Sequence, residues 1–184
     1  GVGGDAFALT YIARADQLTA LNASGRSPTA ISIDAVQRLG HAAMPEVGPL
    51  SITVPGTVDG WEKILQRHGS LPLSEALKPA IHYAEKGFPV TEIIAREWIE
   101  FEEIVQSTPY VLDGRAPRAG EIFKNPDLAQ TLRLIAEEGS AAFYRGSIAE
   151  QIARHVQSQG GYLSAEDFAQ HTSTWDDPAS TVYR

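Results

Sequence analysis

Leu50-Ser51-Ile52-Thr53-Val54-Pro55-Gly56-Thr57-Val58-Asp59-Gly60-Trp61-Glu62-Lys63-Ile64-Leu65-Gln66-Arg67-His68-Gly69 changes its apolar rhythm halfway along. An apolar run stops at Pro55-Gly56. From there Val58, Trp61, Ile64 and Leu65 recur at the three-and-four spacing that puts side chains on one face of a helix. Gly69 is placed as the residue after the helix, where a left-handed C′ glycine ends it. What lies upstream of this stretch is mixed, and what lies downstream is punctuated almost entirely as helices.

Upstream, Ala6-Phe7-Ala8-Leu9-Thr10-Tyr11-Ile12 has the aromatic and β-branched content of a buried strand. Arg14-Ala15-Asp16 makes a polar turn into Gln17-Leu18-Thr19-Ala20-Leu21-Asn22, so residues 6–22 read as a β-hairpin. Asn22 to Pro28 is a Gly/Ser-rich loop, and Ser32 to Leu39 is a short helix ending on Gly40. Downstream, Ser74 opens a helix through Leu77, Ile81 and Ala84 to Gly87, which Pro79 is expected to kink or split because it lacks the N–H for one helical bond. Thr91 can cap the next helix, with Ile94, Trp98, Phe101 and Val105 as its apolar stripe. Residues 109–126, with Pro109, Pro117 and Pro126, read as a surface connection and the best internal boundary, carrying a short strand at Glu121-Ile122-Phe123. Asn125-Pro126 is a cap followed by an N1 proline, and Leu128, Leu132 and Ile135 carry that helix to Gly139. Ser147-Ile148-Ala149-Glu150 has the spacing of a capping box ahead of Ile152 and Val156, with Gly160-Gly161 as the stop. Ser164-Ala165-Glu166-Asp167 starts one more short helix, and residues 179–184 have strand composition. The expected fold class is α+β, mainly helical, with residues 1–28 as hairpin and loop, 29–178 as a helical region and 179–184 as the start of a strand.

With 43% hydrophobic and 21% charged residues in 184, the chain can bury a core. A net charge of -8 and the lack of any Lys/Arg cluster argue against nucleic acid as partner. No stretch approaches the roughly 18 apolar residues of a membrane span. Cysteine is absent, so disulfides, thiolate metal sites and a cysteine nucleophile are excluded. The histidines at 41, 68, 82, 155 and 171 show no metal-ligand spacing and read as surface or helix-end residues. No metal or cofactor is expected.

No G-x-S-x-G elbow, H-E-x-x-H or phosphate loop is present. Gly1-Val2-Gly3-Gly4 precedes a strand, whereas a dinucleotide fingerprint follows one, so a turn or close packing is the better account. Glu102-Glu103 and Glu137-Glu138 fit solvated helix faces, and no catalytic residue is assigned. Asn22-Ala23-Ser24 is formally a glycosylation sequon. Arg26 is the one candidate. On its loop it is either a solvated arginine or a guanidinium fork presented to a carboxylate.

Five stretches, in order along nearly the whole chain, resemble the γ-glutamyltranspeptidase family. Gly1-Val2-Gly3-Gly4-Asp5-Ala6-Phe7-Ala8-Leu9 resembles its G-I-G-G-D-x-F strand entry, and Leu21 to Pro28 its arginine loop. Val54 to Trp61 resembles V-P-G-x-V-x-G, Leu73 to Val90 resembles the P-A-I-x-x-A-x-x-G-F-x-V stretch, and Gly160 to Asp167 resembles G-G-x-L-T-x-x-D-L. The resemblance implies an autoprocessed precursor folded as an αββα sandwich, in which a threonine freed at the start of the small subunit attacks a γ-glutamyl amide with its own α-amine as base. No threonine here lies in the family's T-T-H-x-S context, so the chain is expected to be an internal piece of the large subunit, its partners being the small subunit of the same precursor and a γ-glutamyl small molecule. Its hairpin and tail strands are then expected to show unpaired edges or apolar faces. The resemblance gives Arg26 the role of gripping the donor's α-carboxylate. Where transpeptidases proper often show R-E-x-A-P, this chain has Ser24-Gly25-Arg26-Ser27-Pro28, as in γ-glutamyltranspeptidase-like and acylase-like branches, which keeps an acylase-type amidohydrolase open beside glutathione-type donors. A non-catalytic helical interaction domain is the reading from another class. A periplasmic or extracellular address fits the family, and a cytoplasmic one stays open.

Overall fold

Small residues alternate with large ones along strand β1 (Ala6–Ile12), and a single turn of 3-10 helix with Asp16 in left-handed conformation (φ 45°) reverses the chain into β2 (Gln17–Ala23). The two pair antiparallel, Ala6 opposite Ala23 and Ile12 opposite Gln17, so the hairpin expected over residues 6–22 is present. β2 buries Thr19, Leu21 and Ala23 on one face. The large side chains of β1 point the other way, with Phe7 and Leu9 each 71% exposed and Tyr11 60%. The computed structural model describes residues 1–101 and 108–183. They form two compact units, one of Gly1–Leu73 with Glu138–Arg184 and one of Ser74–Glu137.

In the first unit the hairpin meets α2 (Thr57–His68), after the short α1 (Ile33–Arg38), whose Ser32 cap accepts the Ala35 N–H. α2 ends at Gly69 as expected, although in extended backbone (φ -74°) and not in the left-handed region. Beyond Gly139 come α6 (Ser140–Tyr144), α7 (Ser147–Ser158) and α8 (Ala165–Ala169). Their core is aromatic: Phe143 and Phe168 are fully buried with ring centres 6.0 Å apart, and Tyr144 lies 5.0 Å from Phe143. Each such ring contributes about 1.5–3 kcal/mol through burial. α6 has no signature in the sequence beyond its burial.

The capping box stands elsewhere than expected. α7 begins at Ser147 itself, behind Gly146, with no side-chain cap bond, because Ser147 occupies the first helical position and its side chain cannot reach forward as an N-cap does. The box belongs to α8, where Ser164 Oγ accepts the Asp167 N–H and Asp167 accepts the Ser164 N–H in return. The tail strand is also displaced. β5 (Thr174–Asp176) adds to β2 antiparallel, Leu21 opposite Trp175, giving the order β1-β2-β5, while residues 179–183 form no strand. Pro178 has no N–H to offer a ladder, which fits the early end.

In the second unit α3 (Leu73–Lys86) runs unbroken through Pro79. Pro79 is exposed and Leu77 and Ala84 are buried on the opposite side, so the packed face holds the helix across the missing bond. β3 (Phe88–Pro89) pairs with β4 (Ile122–Phe123), the short strand expected near 121–123. α4 (Glu92–Glu100) is capped by Thr91 as expected, but its core-facing residues are Ala95 and Trp98, the latter 4.8 Å from Phe123, whereas Ile94 and Phe101 are exposed. Val105 of the expected stripe lies outside the described residues. The 109–126 connection runs inside this unit, where Glu121 takes both terminal nitrogens of Arg115 at 2.7 and 2.9 Å. That bond first, with the Arg118 N–H, holds Glu121 down at about 2. α5 (Pro126–Glu138) starts as expected, the Asn125 side chain accepting the Leu128 N–H at 2.9 Å. Seven helices are described after residue 55, so the α+β, mainly helical class holds. Among the described residues no helix is long and apolar enough to cross a membrane.

Two pairs of substitutions test these assignments. Ser164→Ala removes a cap bond and should lower stability by about 1 kcal/mol, whereas Ser147→Ala should stay within about 0.5 kcal/mol of the parent. Denaturant midpoints would show it, and equal losses at both positions would mean the box is misplaced. At Gly56 an added Cβ would stand 2.0 Å from the Ala23 carbonyl oxygen, while at Gly160 (φ +89°) it would meet nothing within 4 Å. Gly56→Ala is therefore expected to cost about 3 kcal/mol or more, against about 1–2 kcal/mol for the left-handed strain at Gly160→Ala. The order of the two melting temperatures decides it.

Candidate functional site

The loop after β2 crosses the segment that starts α2 with backbone against backbone. Arg26 O accepts the Val54 N–H at 3.0 Å, and a Cβ on Gly25 would lie 1.5 Å from Val54 O, inside the carbonyl. Only glycine fits there. The Gly1–Gly4 turn closes the same junction: Gly4 O accepts from Gly56 N–H at 3.1 Å, Thr57 N–H at 3.0 Å and the Thr57 hydroxyl at 2.7 Å. A carbonyl facing three donors at a helix N-terminus satisfies groups that the helix cannot pair itself.

Carboxylates hold the loop at both ends. Asp5 Oδ1 accepts the Gly25 N–H at 2.9 Å and Oδ2 the Ser24 hydroxyl at 3.2 Å. At the far end Asp167 Oδ1 accepts the Thr29 N–H and hydroxyl at 2.9 and 2.7 Å, while Oδ2 takes the Ser164 pair at 2.9 and 2.6 Å. Burial opposes the Asp167 charge, and the four donors outweigh it, so its carboxyl sits below the usual range. Its contribution to folding is thus present above the unfolded carboxyl pKa and is lost as pH falls through the depressed folded value. With each oxygen already taking two donors, Asp167 is a clamp and has no room to act as a base.

Between these anchors lies a cleft of about 580 Å³ whose lining includes Arg26, Ser27, Asp167, Gln170, His171 and Thr174. Arg26 is exposed at it, and among the described residues its guanidinium has no ion-pair partner. His171, read from sequence as a surface or helix-end residue, is instead half-buried, stacked on Tyr144 with ring centres 5.1 Å apart, and its Nε2 is buried without a hydrogen-bond partner among the described residues. Burial first, then the Lys63 and Arg26 charges, push its pKa down against the pull of Asp59 and Asp5, so the ring is neutral at pH 7. The Tyr144 hydroxyl beneath it accepts the Asp59 N–H at 3.1 Å and donates to Pro55 O at 2.7 Å; burial drives its pKa up. A cation beside hydroxyl donors in a polar cleft is suited to holding an anion, above all a carboxylate.

Arg26 was legible from sequence as a candidate, whereas Asp5, Asp167 and His171 were not singled out. Asp167 had a signal, since Ser164-x-x-Asp167 is a capping box with aspartate in place of glutamate. His171 had none. Glu137 and Glu138 are exposed and line no part of this cleft, and Glu102-Glu103 lie outside the described residues. Among the described residues no cluster of His, Asp or Glu could hold a metal ion.

The family model for gamma-glutamyltranspeptidase matches residues 1–184. A glutathione hydrolase-like proenzyme of Bacillus subtilis is 40% identical over 190 residues, covering 100% of this chain and 36% of that protein. The crystal structure of Helicobacter pylori gamma-glutamyltranspeptidase superposes with a TM-score of 0.91 at 29% identity over 100% of this chain and 55% of that one. A cephalosporin acylase from Bacillus halodurans gives 0.87 at 38% identity, over 100% of this chain and 36% of that one. The chain spans about a third of the length of the curated relative. Matched end to end by the family model and covered over its whole length by both superposed structures, the chain belongs to the gamma-glutamyltranspeptidase family, with the α+β architecture of part of an N-terminal-nucleophile hydrolase.

Proposed function

We propose that this chain is the substrate-gripping part of the large subunit of an autoprocessed γ-glutamyl amide hydrolase or transferase, and that Arg26 holds the donor's α-carboxylate. The observation that carries the reading is a guanidinium without an ion-pair partner among the described residues, facing a polar cleft from a loop pinned on both sides. Fixing the carboxylate end of a γ-glutamyl donor sets where its amide carbonyl lies, which is how binding energy places a reacting carbon. The attack itself falls to a threonine of the small subunit, with its α-amine as base. Glutathione-type donors lead, in line with the name of the Bacillus subtilis relative. A second reading within the family, an acylase-type amidohydrolase, draws on the Ser24-Gly25-Arg26-Ser27-Pro28 loop and on the likeness to the cephalosporin acylase.

The exposed apolar face of β1, Phe7, Leu9 and Tyr11, is assigned to contact with the rest of the precursor, since three large apolar side chains on one strand face are costly in water. The 184-residue segment expressed alone is therefore expected to self-associate and to give no turnover of a γ-glutamyl anilide. Sedimentation and a colorimetric assay check both; clear turnover would sink the placement of the nucleophile outside this chain.

For Arg26 the expected outcome in the full-length enzyme is a raised KM with autoprocessing spared. Arg26→Ala should cost on the order of 2–4 kcal/mol in kcat/KM for a γ-glutamyl donor, and Arg26→Lys should recover little of it, lacking the planar fork. The same donor without its α-carboxylate should be indifferent to both. Equal penalties on the two donors would reduce Arg26 to a structural loop residue.

A further inference from the structure

Asp5 stands immediately before β1 and is exposed, so it contributes nothing to the core. What it does touch is the peptide just ahead of Arg26, through Gly25 N–H at 2.9 Å and the Ser24 hydroxyl at 3.2 Å. On the other side of Arg26 the backbone is pinned by Val54 N–H to Arg26 O at 3.0 Å. The Arg26 Cα thus sits between two fixed points, one a carboxylate and the other a main-chain bond. The engagement of Asp5 has an electrostatic side as well. Both of its oxygens accept from neutral donors of the loop, and among the described residues no ion pair joins Asp5 to Arg26. Arg26 is left without an ion pair among the described residues.

We propose that Asp5 is a positioning residue for Arg26: its carboxylate locks the Ser24-Gly25 peptide so that the guanidinium points, unpaired, at the donor's carboxylate. The inference rests on the reading of Arg26 given above. Asp167 holds the loop too, but it also closes the cap of α8, so its removal would disturb more than the loop.

The test is steady-state kinetics on the processed full-length enzyme, comparing parent, Asp5→Ala, Asp5→Asn, Ser24→Ala, Arg26→Ala and the Asp5→Ala/Arg26→Ala double variant. The donors are γ-glutamyl p-nitroanilide and 4-aminobutyryl p-nitroanilide, which lacks only the α-carboxylate. Asp5→Ala should raise KM for the first donor about tenfold, with kcat within about twofold and the second donor unaffected. Asp5→Asn, whose amide oxygen still accepts the Gly25 N–H, and Ser24→Ala should each shift KM about two- to threefold the same way. The double variant should cost no more than Arg26→Ala, because both changes remove one interaction. A loss on both donors alike, additive costs, or Asp5 and Ser24 variants that match the parent while Arg26→Ala separates the donors would each overturn the role of Asp5 and leave that of Arg26 standing. If Arg26→Ala fails to separate the donors, or the parent does not turn over the first one, the reading of Arg26 falls and takes this inference with it. Should Asp5→Ala not process, Asp5→Asn and Ser24→Ala decide on the same criterion.

Discussion

The first unit depends on one close crossing, where residues 23–25 pass over residues 54–56 with carbonyl groups in the space that side chains would need. Gly25 lies against Val54 O and Gly56 against Ala23 O, so neither position tolerates a Cβ without moving a peptide. That contact seats the end of β2 on the start of α2, and Gly4 O then completes the helix terminus from a third direction. Three sequence motifs far apart in the chain are therefore one object in space. The helix, the hairpin and the arginine loop cannot be repositioned separately.

Around this junction the acidic residues act as acceptors for distant backbone. Asp5 takes Gly25 N–H, Asp167 takes Thr29 N–H, and Asp59, near the start of α2, takes Ser173 N–H at 2.6 Å while Lys63 stands 3.4 Å away. A carboxylate offers about four lone-pair sites, and each bond to it is worth roughly 1.5–3 kcal/mol where water is excluded. Some of the acidic side chains behind the net charge of -8 thus tie loops down while keeping their charge.

Legibility followed the range of the interaction. The hairpin and the Thr91 and Asn125 caps depend on residues within a few positions of each other, and local spacing exposes them. The Ser147 box failed because the same S-x-x-E pattern fits a helix that starts one residue sooner, and nothing local distinguishes the two. β5 was missed because its strand is made by pairing with β2, not by its own composition. The cleft was half legible. Arg26 stood out by residue type and loop context, whereas Asp5 and His171 acquire meaning only from neighbours about 20 and 27 residues away, Gly25 and Tyr144, and no periodicity encodes that.

Arg26 is exposed in this chain, and that bears on the carboxylate grip proposed for it. An ion pair in open water is worth at most about 1 kcal/mol, because solvent and salt screen it and the long side chain must be ordered to make it. The same pair with water removed and its geometry fixed beforehand is worth several times more. The loop anchors remove part of the ordering cost, since the backbone at Arg26 is held before any ligand arrives. Desolvation is the other part, and it has to come from whatever covers the cleft. In the proposed function the arginine supplies the charge, the Asp5 and Val54 bonds supply its direction, and exclusion of water from the cleft is the condition under which a weak surface contact becomes selection for a carboxylate-bearing donor.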